Sequence, residues 1–241
     1  MKEISIKMSN TYKNAHVIKL GGSLLVPDGG IDAGYVNKFN AFIRKQIAEK
    51  GLRFFIFTGG GQLARHYIDA AMEVIGHELT NDDLDWLGVH ATRLNAHLLR
   101  TIFRDLAHPV IITDYSYIQK PDKPVVIAAG WKPGWSTDYV AVILAQDYSV
   151  KTIVKMSNAD YVYDRDPRQY PEAKPFDKIS WKDYRAMVGD EWTPGSSAPF
   201  DPVAAKLASE LEMKVLYLNG TDLANAERAI DGKQFVGTII E

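Results

Sequence analysis

The chain has 241 residues, 28 Lys and Arg against 30 Asp and Glu, six His and no Cys, and 46% of its residues are hydrophobic. This is the profile of a globular protein able to bury a sizeable core; it excludes disulfide frameworks, thiolate nucleophiles and zinc fingers, and a formal charge of −2 supplies no general field for nucleic acid. No run of about 18 apolar residues is present to span a membrane, and the polar start MKEISIKMSNTYKN lacks the apolar core of a secretory leader, so a cytoplasmic location is expected.

Short β-branched apolar runs alternate with longer segments of helical period, the pattern of a mostly parallel sheet covered by helices. The predicted elements begin with strand Ala15–Leu20, helix Asp32–Lys50, strand Arg53–Thr58, and helices Gln62–Ile75 and Asp82–Asp105. Strands Pro109–Thr113 and Pro124–Ala128 follow, then helix Thr137–Gln146, strand Lys151–Met156 and helices Ser180–Val188 and Asp201–Glu212. Strand Lys214–Leu218, helix Asp222–Ala229 and strand Phe235–Ile240 complete the series. Helix starts are marked by Asn81 or Asp82, by Ser180, and by Asp201 ahead of Pro202. The stretches Tyr115–Asp122, Tyr163–Lys178 and Gly189–Phe200 predict loops or a small hairpin, and their length points to function or a lid. A soft boundary near residue 130 divides an N-terminal lobe, 1–130, from a C-terminal lobe, 131–241.

Three glycine turns follow predicted strands. In Lys19-Leu20-Gly21-Gly22-Ser23 the missing Cβ atoms let backbone N–H groups approach an anion. The Lys precedes the glycines, which rules out a Walker A loop; a tight turn beside a surface Lys is the plainer reading. In Thr58-Gly59-Gly60-Gly61-Gln62-Leu63-Ala64-Arg65 a strand breaks into a helix N-terminus, a phosphate site with Arg65 one turn in. The same run fits G-x-G-x-x-A, but Asp82 and Asp83 precede a helix instead of ending a strand, which speaks against a dinucleotide fold. In Gly130-Trp131-Lys132-Pro133-Gly134-Trp135-Ser136-Thr137-Asp138, cation, hydroxyls and carboxylate suit phosphate or sugar at the C-terminal edge of a sheet. Ser136 or Thr137 capping the next helix is the structural alternative. Asp160, Asp164 and Asp166 lack the Gly and Glu of an EF-hand loop, and His90 with His97 reads as a helix face.

With Asp85-Trp86-Leu87-Gly88, Thr92-Arg93-Leu94-Asn95-Ala96, the run from Ser157 to Pro167, Phe200-Asp201-Pro202-Val203-Ala204-Ala205-Lys206 and the closing Gly237-Thr238-Ile239-Ile240, the three turns resemble the UMP (uridylate) kinases of the amino-acid kinase superfamily. The likeness is closest to the archaeal type and covers nearly the whole chain. It implies a three-layer α/β/α sandwich with a mostly parallel sheet, and transfer of the γ-phosphoryl group of ATP to UMP. It implies ATP on the C-terminal half, at Ser157, Asn158, Tyr163 and Asp166, with its phosphates reached from the N-terminal half by Gly21, Gly22, Ser23, Gly61 and Arg65. UMP is implied on Gly59, Gly60, Asp85 and the loop Trp131, Lys132, Pro133, Gly134, Trp135, Ser136 and Thr137. Lys19 and Lys206 are the candidate catalytic cations, and Asp138 the residue that orients a Lys. Mg²⁺ is expected to arrive with the nucleotide, and a homohexamer is implied by the same likeness. Trp131, Trp135 and Tyr161 depart from the archaeal pattern, and Lys19 and Lys155 look more like the bacterial enzymes; one Trp is expected to stack on the acceptor base. A kinase of another small phosphate or carboxylate, or a nucleotide-dependent storage or sensor protein, remains an alternative on the same fold.

Overall fold

The computed structural model describes residues 12–191 and 198–241. Strand β1 (Ala15–Leu20) leads through a one-turn helix α1 (Gly22–Leu25) to α2 (Ala33–Lys50), β2 (Arg53–Thr58), α3 (Gly61–Val74) and α4 (Asn81–Ile102). Next come β3 (Val125–Ala128), α5 (Thr137–Asp147), β4 (Thr152–Ser157), β5 (Val162–Tyr163), β6 (Pro175–Phe176), β7 (Lys178–Ile179) and α6 (Trp181–Val188). The chain closes with α7 (Pro202–Glu210), β8 (Lys214–Asn219), α8 (Leu223–Ile230) and β9 (Thr238–Ile240).

Seven strands form one sheet in the order β3-β2-β1-β4-β8-β9-β7, parallel except where β8 meets β9. Because side chains alternate along a strand, each central strand feeds two cores. Val17, Phe55, Ile153 and Val215 face α5, α6 and α7. Ile18, Ile56, Val154 and Leu216 face α2, α4 and α8. Burial on both faces explains why these strands read as unbroken apolar runs, and the three layers match the α/β/α expectation.

Three readings need correction. The strand expected at Pro109–Thr113 shrinks to isolated bridges, Ile112 with Ala128 and Ala107 with Val125; Pro109 has no N–H to give a ladder. The last strand starts at Thr238, because Asn225 exchanges two hydrogen bonds with the backbone of Val236 and holds that segment against α8. Helix α4 is capped by Thr80 instead of Asn81 or Asp82: Thr80 Oγ1 accepts from the Asp83 amide and Asp83 returns the bond to the Thr80 amide, a capping box. Ser180 and Asp201 cap α6 and α7 as read from sequence. The irregular stretch Tyr163–Lys178 contains the small hairpin partner β6, paired antiparallel with β5. Part of Gly189–Phe200, residues 192–197, lies outside the described residues.

Candidate active site

Lys19 on β1 and Lys155 on β4 are register partners on adjacent parallel strands. They point to the face carrying Val17 and Ile153, and there they meet Asp138 in the first turn of α5. Lys155 Nζ donates to Asp138 Oδ2 across 2.5 Å, whereas Lys19 Nζ stands 3.5 Å from Oδ1. The Asp201 amide donates to Oδ2 at 3.1 Å, while the buried Oδ1 has no hydrogen-bond donor. All three side chains are buried. Burial opposes the Asp138 anion, yet Lys155 and Lys19 outweigh it and hold the carboxyl below its ordinary range. Burial pulls the Lys19 ammonium down to about 8 in spite of Asp138, with Lys155 adding to the depression. Burial likewise pushes Asp201 up, against the bond its carboxylate accepts from the Ala204 amide. One carboxylate therefore holds two cations unequally, Lys155 as a fixed anchor and Lys19 as a loosely paired ammonium.

The first two glycine turns interlock beside this cluster. A Cβ on Gly22 would lie 2.1 Å from the Gly61 nitrogen, and one on Gly61 would lie 2.3 Å from the Gly22 oxygen. Gly61 also has φ +64°. Several amides expected to be bare are committed inside the fold: Gly21 donates to Met156, Gly59 to Leu20 and Gln62 to Val26. These glycines serve backbone crossing first, and anion binding falls to the amides that remain. Arg65, exposed on α3, donates to Gln62 and reaches Ser23 Oγ at 3.4 Å, so it bridges the two turns.

Helix α4 sets the second and third turns. Asn95 Nδ2 donates to the carbonyls of Gly59 and Gly60 at 2.9 and 3.1 Å. Arg93 donates to the carbonyls of Gly130 and Trp131 at 3.1 and 2.6 Å, and Thr92 Oγ1 accepts from the Gly130 amide. Asp85 Oδ2 accepts from the Gly134 amide at 2.7 Å. The spacing of 85, 88, 92 and 95 is helical and puts one face of α4 along the site. Between this face and the turns lies a cavity of about 430 Å³ whose walls include Gly60, Gly61, Arg65, Asp85, Trp135 and Thr137. Trp135 lines it and Trp131 does not. Trp131 backs Trp135 at 4.7 Å between ring centroids, Tyr139 supports it from 4.8 Å, and Lys132 Nζ sits 4.4 Å over the Trp131 ring. Ser136 Oγ accepts from the Tyr139 amide and caps α5, so that reading holds together with a ligand role for the loop.

The remaining sequence candidates lie elsewhere. Ser157 ends β4 and Asn158 follows it, and Ser157 Oγ accepts from the Tyr217 hydroxyl. Tyr163 is on β5, and the Asp166 carboxylate is paired with Arg168 at 2.9 Å. Lys206 is exposed on α7, and the lysines bonded to Asp138 are Lys19 and Lys155. Sequence reasoning left Lys155, Asp201, Thr92, Arg93 and Asn95 without a site role. A signal for Lys155 was present: a lone Lys inside TIVKMS, a strand otherwise built for full burial.

Comparison with known proteins places the chain in a family. The model of the amino acid kinase family matches residues 14–219. The uridylate kinase of Methanosarcina barkeri is 36% identical over 218 residues, 89% of this chain and 91% of the relative. That of Thermococcus sibiricus is 35% identical over 228 residues, 93% of this chain and 98% of the relative. The crystal structure of uridylate kinase from Archaeoglobus fulgidus superposes with a TM-score of 0.76 at 29% identity, covering 94% of this chain and 99% of that one.

Proposed function

Because the chain belongs to the amino acid kinase family, we propose that it is a nucleoside monophosphate kinase that transfers the γ-phosphoryl group of ATP to UMP. The observation that carries this reading is the pair Lys19 and Lys155 on Asp138, next to a cavity with Arg65 near one glycine turn and Asp85 near the third. A phosphate oxygen of UMP bonds to the γ-phosphorus while the bond from that phosphorus to the β,γ-bridging oxygen breaks. UDP and ADP result. The attacking phosphate is ionised near neutral pH, so no general base is required, and the work of the site is positioning and charge stabilisation.

In this reading Lys19, held 3.5 Å from its carboxylate, is the ammonium available to the transferring phosphoryl group, and Lys155 fixes Asp138 beneath it. Arg65 and the free amides of the first two turns hold the phosphates, and Asp85 takes a ribose hydroxyl in exchange for the Gly134 amide. Trp135 supplies an aromatic wall for the acceptor base. Ser157, Asn158, Tyr163 and Asp166 are assigned to adenosine, and Lys206 to the donor phosphates, by resemblance. By resemblance UMP is assigned mainly to the 1–130 lobe and ATP to the 131–241 lobe, with Trp135 reaching the acceptor from the second lobe and Arg65 and the first two turns reaching the phosphates from the first. Among the described residues no group of three His, Asp or Glu side chains is placed to hold a metal; Mg²⁺ in this proposal is part of the MgATP substrate, bound by phosphate oxygens and water.

Helix α3 has no buried residue in the single chain and exposes Tyr67, Met72 and Val74. This supports a homo-oligomer with contacts through the N-terminal half, a hexamer by resemblance, which light scattering tests. No helix among the described residues is long and apolar enough to cross a membrane, and a cytoplasmic enzyme is proposed. A coupled ADP-release assay across UMP, CMP, purine nucleoside monophosphates and isopentenyl phosphate tests the acceptor. Preference for a non-nucleotide overturns UMP, and no turnover with any acceptor overturns the kinase.

A further inference from the structure

The acceptor cavity has a direction. Helix α3 leaves the second glycine turn at Gly61, and α4 returns to it: a Cβ on Gly60 would lie 3.3 Å from Ala91 Cβ and 3.5 Å from the Gly88 oxygen. Residues of rising number along α3 and of falling number along α4 therefore both lead away from the turn. Gly88 stands level with the turn, Asp85 nearly one helical turn farther out, and Asn81 about 6 Å beyond Asp85 along the axis. All three line the cavity.

The outer end is an apolar slot with a polar group at its rim. Ile68 of α3, Leu84 of α4 and Trp135 of the third loop form its walls, and the Gly134 amide on Asp85 Oδ2 places the loop carrying Trp135 at the level of Asp85. Asn81 is exposed, and no hydrogen-bond partner of its side chain is found among the described residues. It has no capping duty, because Thr80 takes the N-cap and Asp83 closes the capping box. Away from a cap, Asn is also a poor helix former. Arg65, Asp85, Thr92 and Ser136, which line the same cavity, each hold a bond within the fold. Thr137 is uncommitted as well, but it adjoins Asp138 at the phosphoryl end. Asn81 is thus a carboxamide without a local structural task, set one turn beyond the residue assigned to the ribose.

We infer, resting on the nucleoside monophosphate reading above, that Asn81 determines base specificity: its carboxamide bonds the exocyclic group at position 4 of a pyrimidine held between Trp135, Ile68 and Leu84. With phosphate toward the glycine turns and ribose on Asp85, one turn of α4 spans the length from the ribose to that group. A carboxamide carries both donors and an acceptor. Nδ2 donates to the 4-oxygen of uracil; a rotated amide accepts from the 4-amine of cytosine through Oδ1. The contact anchors a pyrimidine, and the rest of the site chooses between the two. A carboxylate in its place only accepts, and so suits the amine alone.

Asn81→Asp and Asn81→Ala test this in the coupled assay with UMP, CMP and dUMP. Position 81 opens the helix, where an acidic residue is favourable, so the Asp variant keeps the parent fold. Asn81→Asp is expected to move the ratio of kcat/KM for UMP to that for CMP by about tenfold or more toward CMP. Asn81→Ala is expected to raise the KM for UMP about tenfold, with the KM for ATP within about twofold of the parent. A general loosening of α4 weakens both acceptors alike, so an unmoved UMP to CMP ratio in folded Asn81→Asp overturns the assignment. A shifted UMP to dUMP ratio with the UMP to CMP ratio unmoved gives Asn81 to the ribose instead, and also overturns it. A parent that phosphorylates no nucleoside monophosphate overturns the proposed function together with the assignment, whereas a UMP-active parent with indifferent variants overturns the assignment alone.

Discussion

Lys155 donates to Asp138 across 2.5 Å inside the protein, a distance 1 Å shorter than the 3.5 Å from the same carboxylate to Lys19. Removing the anion leaves two buried ammonium groups without a counter-charge. Asp138→Asn is expected to cost about 3–5 kcal/mol of stability and to lower kcat at least a hundredfold. Urea unfolding and the coupled assay measure both. Adding Lys155→Met to Asp138→Asn restores part of the stability and none of the activity; if the two losses simply add, the pair is not coupled.

Lys19 is held at about 8 against an ordinary 10.5. Its charge is complete below pH 8 and lost above it, so kcat/KM for ATP is expected to fall about tenfold per pH unit on the alkaline side. Lys19→Arg, always charged, lacks that limb although its activity is lower. The stability effect has the opposite sense. Between pH 8 and 10.5 the unfolded chain binds more protons, so the penalty for burying Lys19 is full below 8 and is relieved as pH rises. The Tm difference between Lys19→Met and the parent becomes less favourable to the variant from pH 8 to pH 10, and a flat difference contradicts the assignment.

Trp135 lines the acceptor cavity and Trp131 stands behind it. Trp135→Ala is expected to raise the KM for UMP by a factor corresponding to about 1–3 kcal/mol of lost stacking, with the KM for ATP changed far less. Trp131→Ala gives a smaller rise, because it only loosens its neighbour. Equal effects of the two, or none, refute the stacking role.

Arg93 does not line the acceptor cavity, yet it anchors the Gly130 and Trp131 carbonyls of the loop that does. Arg93→Ala is expected to raise the KM for UMP more than it lowers kcat, and Arg93→Lys to recover only part, since one ammonium cannot reproduce the two-pronged bond. A loss confined to kcat argues against a positioning role.

Two glycines of the site have opposite tolerances. Gly22→Ala drives a Cβ into the Gly61 backbone and is expected to cost about 3 kcal/mol or more, as overpacking does. Gly88, inside α4 and lining the cavity, has nothing within 4 Å of an added Cβ. Gly88→Ala is expected to stabilise the helix by about 0.5–1 kcal/mol. Thermal melts of the two variants must move in opposite directions.

The strand–glycine–helix order, both buried-face strands and most helix limits are legible in one dimension, because strand period, caps and glycine turns are local effects. Lys19 and the three turns are visible for the same reason, since each interrupts a pattern that burial or helix formation would otherwise impose, whereas Asp85 and the role of Asp138 enter through the resemblance to the uridylate kinases. The partner of Asp138 is not visible that way. Lys155 reaches it only because β4 pairs with β1 in a register that sets Lys155 opposite Lys19, while Lys206, closer in kind to the family motif, stays exposed on α7. Arg93 and Asn95 gain their meaning from the packing of α4 against turns 36 to 38 residues away in sequence. The choice of Trp135 over Trp131 likewise depends on which ring faces the cavity. Local sequence chose the elements and the chemistry offered; long-range register and helix packing decided which groups stand within hydrogen-bonding distance, and electrostatics at that range is what a catalytic site requires.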